Sequence, residues 1–112
     1  MGTAKSIEWT YEQGTDAELR LTWRDQTTQQ PIDLTGYTAV CRISTNPVLV
    51  VSPILGGAAG TIVVPLTPAQ TLSFGKHRLR FEVDVTEPGG KVVRLVKGKL
   101  VGAASVSEGV DG

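Results

Sequence analysis

Apolar and polar residues alternate with a period of two along most of this chain. The alternation is strongest over residues 76–86, where His77, Leu79, Phe81, Val83 and Val85 interleave with Arg78, Arg80, Glu82, Asp84 and Thr86. A period of two sends successive side chains to opposite faces, so this stretch predicts a strand with one core face and one wet face. The same reading gives strands over residues 6–11 (Ile7, Trp9 and Tyr11 inward), 18–24 (Leu19, Leu21 and Trp23 inward), 37–44 (Tyr37, Ala39, Cys41 and Ile43 inward) and 61–66 (Ile62, Val64 and Leu66 inward). A buried Trp23 would make Trp23→Ala cost about 3–5 kcal/mol. The apolar run 48–51, set between Pro47 and Pro53, predicts a short strand that is either buried on both faces or lies at an edge.

Turn chemistry separates these strands. Gln13-Gly14-Thr15-Asp16 reverses the chain after the first. Pro31 cannot donate to a sheet ladder, and Gly36 tolerates a positive φ angle, so Pro31-Ile32-Asp33-Leu34-Thr35-Gly36 predicts two reversals with Ile32 and Leu34 tucked inward and Asp33 and Thr35 organising the turn. Residues 56–60 read as a mobile glycine-rich connection. Thr67 followed by Pro68 supplies a helix cap and a first helical residue, predicting one short helical turn that carries the chain between sheets. Glu87-Pro88-Gly89-Gly90 is a hairpin loop, after which residues 91–101 return as the last strand, with a bulge expected near Gly98 where the apolar phase shifts. The fold class that follows is all-β: a single antiparallel β-sandwich domain, immunoglobulin-like, of about seven strands with one helical turn, and flexible arms at about 1–5 and 103–112.

Composition narrows the function classes. Eleven basic residues balance eleven acidic ones over 112 residues, which removes the charge attraction on which nucleic-acid and anionic-membrane binding depends. No apolar run approaches the roughly 20 residues of a membrane span, and no apolar signal segment follows the N-terminus, so a soluble protein made in a cytoplasm is expected. Cys41 is the single cysteine and falls on a core face, which predicts an inert packed thiol.

Catalytic chemistry finds little to build on. His77 is the only histidine and has no nucleophile motif near it. Glu82 and Asp84 share a strand face about 7 Å apart, but they sit among Arg78 and Arg80 as a solvated sheet surface would. The 56–60 glycines lack the Lys-Ser/Thr ending of a phosphate loop, and no acidic run suits calcium. No enzyme activity, cofactor or metal is expected. Charges such as Glu18 and Arg20 are expected to pair across neighbouring strands of the wet face. Partner contacts are expected at Trp9 and Tyr11, because an N-terminal strand is often an edge, and at Val106 and Val110, the apolar residues of the C-terminal arm.

One stretch carries a family signature. Gly14-Thr15-Asp16, Leu19-Arg20-Leu21-Thr22-Trp23-Arg24-Asp25 and Pro31-Ile32-Asp33-Leu34-Thr35-Gly36-Tyr37-Thr38-Ala39, with Arg42 and Ile43, resemble the N-terminal domain of phage baseplate upper proteins. The resemblance implies a β-sandwich module that docks onto a virion core and holds no catalytic residues. Family members continue past the module into a receptor-binding-protein segment, whereas this sequence stops. The expected role is therefore a capsid decoration or cement protein binding the phage major capsid protein of the head shell, as a homo-oligomer in the virion. The alternative is a baseplate or tail-attachment module that docks other tail proteins. A small hydrolase, the contrasting class, is opposed by the single histidine.

Overall fold

The computed structural model describes residues 5–75 and 78–103. Eight strands are formed: β1 (Lys5–Glu12), β2 (Ala17–Thr22), β3 (Thr38–Ile43), β4 (Leu49–Val51), β5 (Ile54–Leu55), β6 (Thr61–Leu66), β7 (Arg78–Thr86) and β8 (Val92–Ala103), with one helix, α1 (Pro68–Phe74), between β6 and β7. They make two sheets, one ordered β1-β8-β7-β3-β4 and the other β2-β6-β5. The expected all-β sandwich is what this sequence forms, with one strand more than the periodicity marked. That strand is β5, whose two residues are too few for a period to register.

The apolar sides of the two sheets meet in one core. Phe81, Val83 and Val85 of β7 face Ile62, Val64 and Leu66 of β6, and Cys41, Ile43 and Leu100 are fully buried beside them. Trp9 stands edge-on to Phe81, with ring centroids 5.5 Å apart, and Tyr11 stands edge-on to Phe74 of α1 at 5.6 Å. Such T-shaped pairs set the positive ring edge against the negative face of the neighbour. The Tyr11 hydroxyl donates to the Gly75 carbonyl oxygen at 2.8 Å, which satisfies the one polar atom of that buried side chain.

The pairing departs from the antiparallel expectation at one place. β7 and β8 form the expected hairpin, but β1 runs parallel to β8, with Lys5 opposite Val96 and Ala103 opposite Glu12. Alternation fixes which side chains face inward and carries no strand direction. The direction is set by the long-range pairing of β1 with β8, while the turn at 13–16 delivers β2 to the opposite sheet instead of pairing it with β1. Lys5 and Ala103, placed in the arms by sequence, are strand residues here.

The bulge also moves. β7 and β8 slip register between Val83 and Asp84, because Val83 faces Val96 while Asp84 faces Arg94, leaving Leu95 as the extra residue. Gly98 lies in regular pairing opposite Phe81 and Ile7. It is glycine for another reason: a Cβ there would run into the Ile7 carbonyl oxygen and come within 2.8 Å of the Ile7 carbonyl carbon.

The turn chemistry around residues 31–37 behaves as expected. Leu34 is buried, Gly36 takes a φ of +83°, and Asp33 Oδ1 accepts from the Thr35 backbone N–H at 3.0 Å and the Thr35 hydroxyl at 2.7 Å. The hydroxyl, then the N–H, hold the Asp33 carboxyl below its ordinary range. Residues 56–60 are not a loose connection: the Gly57 carbonyl accepts from Leu34 N–H and the Gly60 carbonyl from Trp23 N–H, both at 2.9 Å. These bonds tie the loop to both ends of the 23–34 excursion.

The helix forms where its caps predict. Thr67 accepts from the Gln70 backbone N–H and the Gln70 side chain accepts from the Thr67 N–H, a reciprocal capping box with Pro68 in the first turn. It leads from β6 of the smaller sheet to β7 of the larger one. At the far side both sheets end in short strands, β4, which lies between Pro47 and Pro53, and β5, which follows Pro53 directly. Proline and shortness blunt those edges against further pairing.

Candidate docking site

Two surface features stand out on this frame: a clasp of charges on the outer face of the larger sheet, and a groove at the edge opposite β4 and β5.

The clasp forms because β3, β7 and β8 are neighbours. Arg94 grips Asp84 with two parallel bonds, Nε to Oδ1 at 2.8 Å and Nη2 to Oδ2 at 3.1 Å, and also reaches Glu82 Oε2 at 3.1 Å. From the other side Arg42 Nη1 donates to Asp84 Oδ2 at 3.0 Å. The carboxylates Glu82 and Asp84 are thus neutralised by arginines from two flanking strands. Glu18 and Arg20, by contrast, pair along one strand and not across two, at 3.1 Å.

Hydrogen bonding from Arg94 holds the Asp84 carboxyl below its ordinary range; burial opposes this, while the Arg94 charge and then Arg42 add to it. A group whose pKa is depressed by folding stabilises the fold fully above its unfolded pKa, about 3.9 for Asp, and loses that contribution as pH falls from there toward the lower folded value. Asp84→Asn should therefore lower unfolding free energy by about 1–3 kcal/mol near neutral pH, with the difference from wild type shrinking below about pH 4. Urea melts at pH 7 and pH 3 measure this, and a deficit that is the same at both would show that the clasp does not titrate.

The groove lies between β2 with its following segment and the start of β8. It is an open depression of about 730 Å³. Leu21, Trp23, Ile32 and Leu95 supply apolar wall and Lys5 and Arg24 positive charge, while Arg20 and Arg94 line it with their charges already paired to Glu18 and to Asp84 and Glu82. Among the described residues Asp25 is its single acidic lining residue, and Asp25 Oδ1 already accepts from the backbone N–H groups of Thr27 and Thr28, at 2.8 and 3.0 Å. The Thr28 bond, then the Thr27 bond, hold that carboxyl below its ordinary range. Trp23 is half-buried, in a T-shaped pair with Tyr37 at 6.1 Å, as are Leu19 and Leu21 before it on β2.

The expected partner-binding aromatics are corrected by their burial. Trp9 and Tyr11 are only 6% and 2% exposed, inside the core, and cannot act as surface anchors. The edge reasoning behind them holds, since β1 does border its sheet, but its aromatic residues are on the inner face. Val106, Val110 and His77 lie outside the described residues. Trp23, Arg24 and Leu95 were not singled out as partner contacts; the signal was an aromatic residue at the last step of an alternating strand, followed at once by a polar run. Burial, then the charge of Glu82, push the fully buried Cys41 thiol up to about 12, consistent with the expected inert packing role. Among the described residues no cluster of His, Cys, Asp or Glu is placed to hold a metal ion.

The geometry has a counterpart among solved structures. The N-terminal domain of phage TP901-1 ORF48 superposes with a TM-score of 0.52 over 90% of this chain and 98% of that domain, at 11% sequence identity. The two share one fold. At that identity the likeness is one of architecture, and it agrees with the phage-module resemblance carried by residues 14–43. No protein-family model and no characterised protein sequence matches the chain.

Proposed function

We propose that this protein is a non-enzymatic structural module of a phage virion, working by docking to other virion proteins. The observation that carries this reading is the shared fold with nearly the whole of the N-terminal domain of phage TP901-1 ORF48. The surface suits it: paired charges and a cationic, partly apolar groove recognise protein surfaces, and carboxylates locked by arginine are poor acids and bases. Fold by itself does not fix a role, so the virion assignment rests on the fold together with the residue pattern at 14–43.

Within the virion, the resemblance of residues 14–43 to baseplate upper proteins, with which the shared fold is compatible, favours a baseplate or tail-attachment module. Head-shell decoration with the major capsid protein as partner is the second reading, and the fold lends it no added support. Counting copies of the protein per purified particle and locating them by immunogold labelling tests the choice. A few dozen copies or fewer at the tail tip are expected; hundreds spread over the head would replace the tail reading with decoration. Absence from purified particles would reject the virion role.

A further inference from the structure

We propose that the outer face of the larger sheet docks an acidic, partly aliphatic segment of a partner protein, with Arg78, Arg80, Lys97 and Lys99 as its cations and Val48 and Val50 as its apolar margin. Placing that partner in the virion rests on the reading above; the face itself stands apart from it.

Register gathers the charge. Arg80 stands opposite Lys99 and Glu82 opposite Lys97 across β7 and β8, with Arg42 opposite Glu82 on β3. Together with Arg78 and Arg94, six of the chain's eleven basic residues are therefore exposed on this one face. The acids that could balance them are unevenly engaged. Glu82 and Asp84 are held by Arg42 and Arg94, which leaves Lys97 unpaired although Glu82 is its register partner. Glu8 of β1 lies opposite Lys99, yet among the described residues Arg78, Arg80, Lys97 and Lys99 enter no ion pair. The in-sheet neighbours of Arg80, Lys97 and Lys99 are described residues on both sides.

This arrangement defines the partner's chemistry. Like charges directly opposite on neighbouring strands repel, so Arg80 against Lys99 destabilises the free module slightly, and a partner carboxylate set between them relieves the repulsion. Arg78 and Arg80, like Lys97 and Lys99, are two residues apart on one strand, a spacing of about 7 Å. An extended segment repeats its side chains on one face at the same interval, so acids at alternate positions match the cations. The apolar margin lies toward β4: Val48 and Val50 are 56% and 57% exposed, and Val50 stands opposite Arg42. Between Val48 and Arg80 is a shallow depression of about 290 Å³ bordered by Arg42, Ser44 and Glu82, with room for an aliphatic side chain.

A protein segment fits this face better than a nucleic acid does. The aromatic residues of its five strands, Trp9, Tyr11 and Phe81, are all buried in the core, so bases would find no ring to stack on. The chain's overall charge balance supplies no long-range pull on a polyanion. Arginine beside exposed aliphatic side chains is instead the composition of a protein interface, where opposite charge sets the register of docking.

The test is fluorescence anisotropy on the full chain with a labelled octapeptide of alternating glutamate and valine, and the glutamine–valine peptide as neutral control. The acidic peptide should bind about tenfold more tightly than the neutral one, and weaken severalfold between about 20 and 200 mM salt. Arg80→Glu and Lys99→Gln should each weaken binding about three- to tenfold, and Arg24→Glu at the groove by less than about twofold. Arg80→Glu sets opposite charges across the β7 and β8 pair, so its melting temperature should equal or exceed the parent's, which separates lost docking from lost folding. Equal binding of the two peptides overturns the proposal, as does binding indifferent to Arg80→Glu and Lys99→Gln, or lost equally through Arg24→Glu. A single-stranded DNA oligomer of the same charge that binds more tightly would make the face a nucleic-acid site and overturn it. Binding that appears only after residues 104–112 are deleted would give the face to the chain's own acidic end and overturn it too. The peptide titration does not involve virions, so this proposal and the virion role can fail separately.

Discussion

Phe81→Ala is expected to lower the unfolding free energy by about 3–5 kcal/mol, and the melting temperature by roughly 10 °C or more. Phe81 is 3% exposed at the centre of β7, its ring meets Trp9 edge-on, and it faces Ile43 of β3 and Gly98 of β8 across the sheet. Truncation opens a cavity walled by three strands whose backbones are fixed by their ladders, so little can collapse into it. Phe81→Leu, which keeps much of the volume, should recover most of the loss. Thermal melts of the three proteins measure this, and a Phe81→Ala loss below 1 kcal/mol would mean that the ring is not packed as described. Periodicity ranks Trp23 beside Phe81, but Trp23 is half-buried at the groove, so Trp23→Ala should cost clearly less than the about 3–5 kcal/mol expected of a core aromatic.

Gly98→Val should be comparably damaging through an excess of atoms instead of a lack of them. The Ile7 backbone crosses so close to Gly98 that a first side-chain carbon meets the Ile7 carbonyl group, with the Ile7 nitrogen at 3.1 Å. A side chain could rotate away; a carbonyl held in a parallel ladder cannot. Overpacking ordinarily costs about 1–3 kcal/mol, and here the relief available is to lift β1, which carries Trp9 and Tyr11 out of the core with it. The expected signature is a lowered melting temperature together with faster amide exchange along β1, while the β3–β7 ladder keeps its protection. Unchanged exchange in β1 would show that the strand does not lie against Gly98. Gly98→Ala should give the same pattern in weaker form.

How much was legible follows from what each signal encodes. The inward faces of β1, β3, β6 and β7 were readable residue by residue, because a half-buried strand repeats every two residues. The helix start was readable because a capping box and a proline act within four residues. The resemblance at residues 14–43 held at the level of fold. The partner-binding aromatics Trp9 and Tyr11 went wrong for a related reason: alternation shows that they share a face, and burial of that face depends on α1 and β7 arriving from 60 residues and more along the chain. The clasp of Arg42, Glu82, Asp84 and Arg94 has the same origin, since its members come from three strands and only strand order makes them adjacent. The groove was hidden because Trp23 reads as another core residue, whereas the whole inward row of β2, Leu19 and Leu21 included, is only half-buried.

By itself, then, the sequence determined the local devices: which residues alternate, where the chain turns, how the helix is capped, that Cys41 is core, and that no local motif announces catalysis. Those depend on contacts within a few residues, where sterics and hydrogen-bonding chemistry leave few choices. Tertiary structure alone decided that β1 joins β8 in parallel, that the bulge falls at Leu95, that Gly98 is required by the Ile7 backbone, and that a cationic groove opens beside Trp23. Each of these depends on two distant segments meeting in one register, and a one-residue slip would turn every side chain of the strand to the other face.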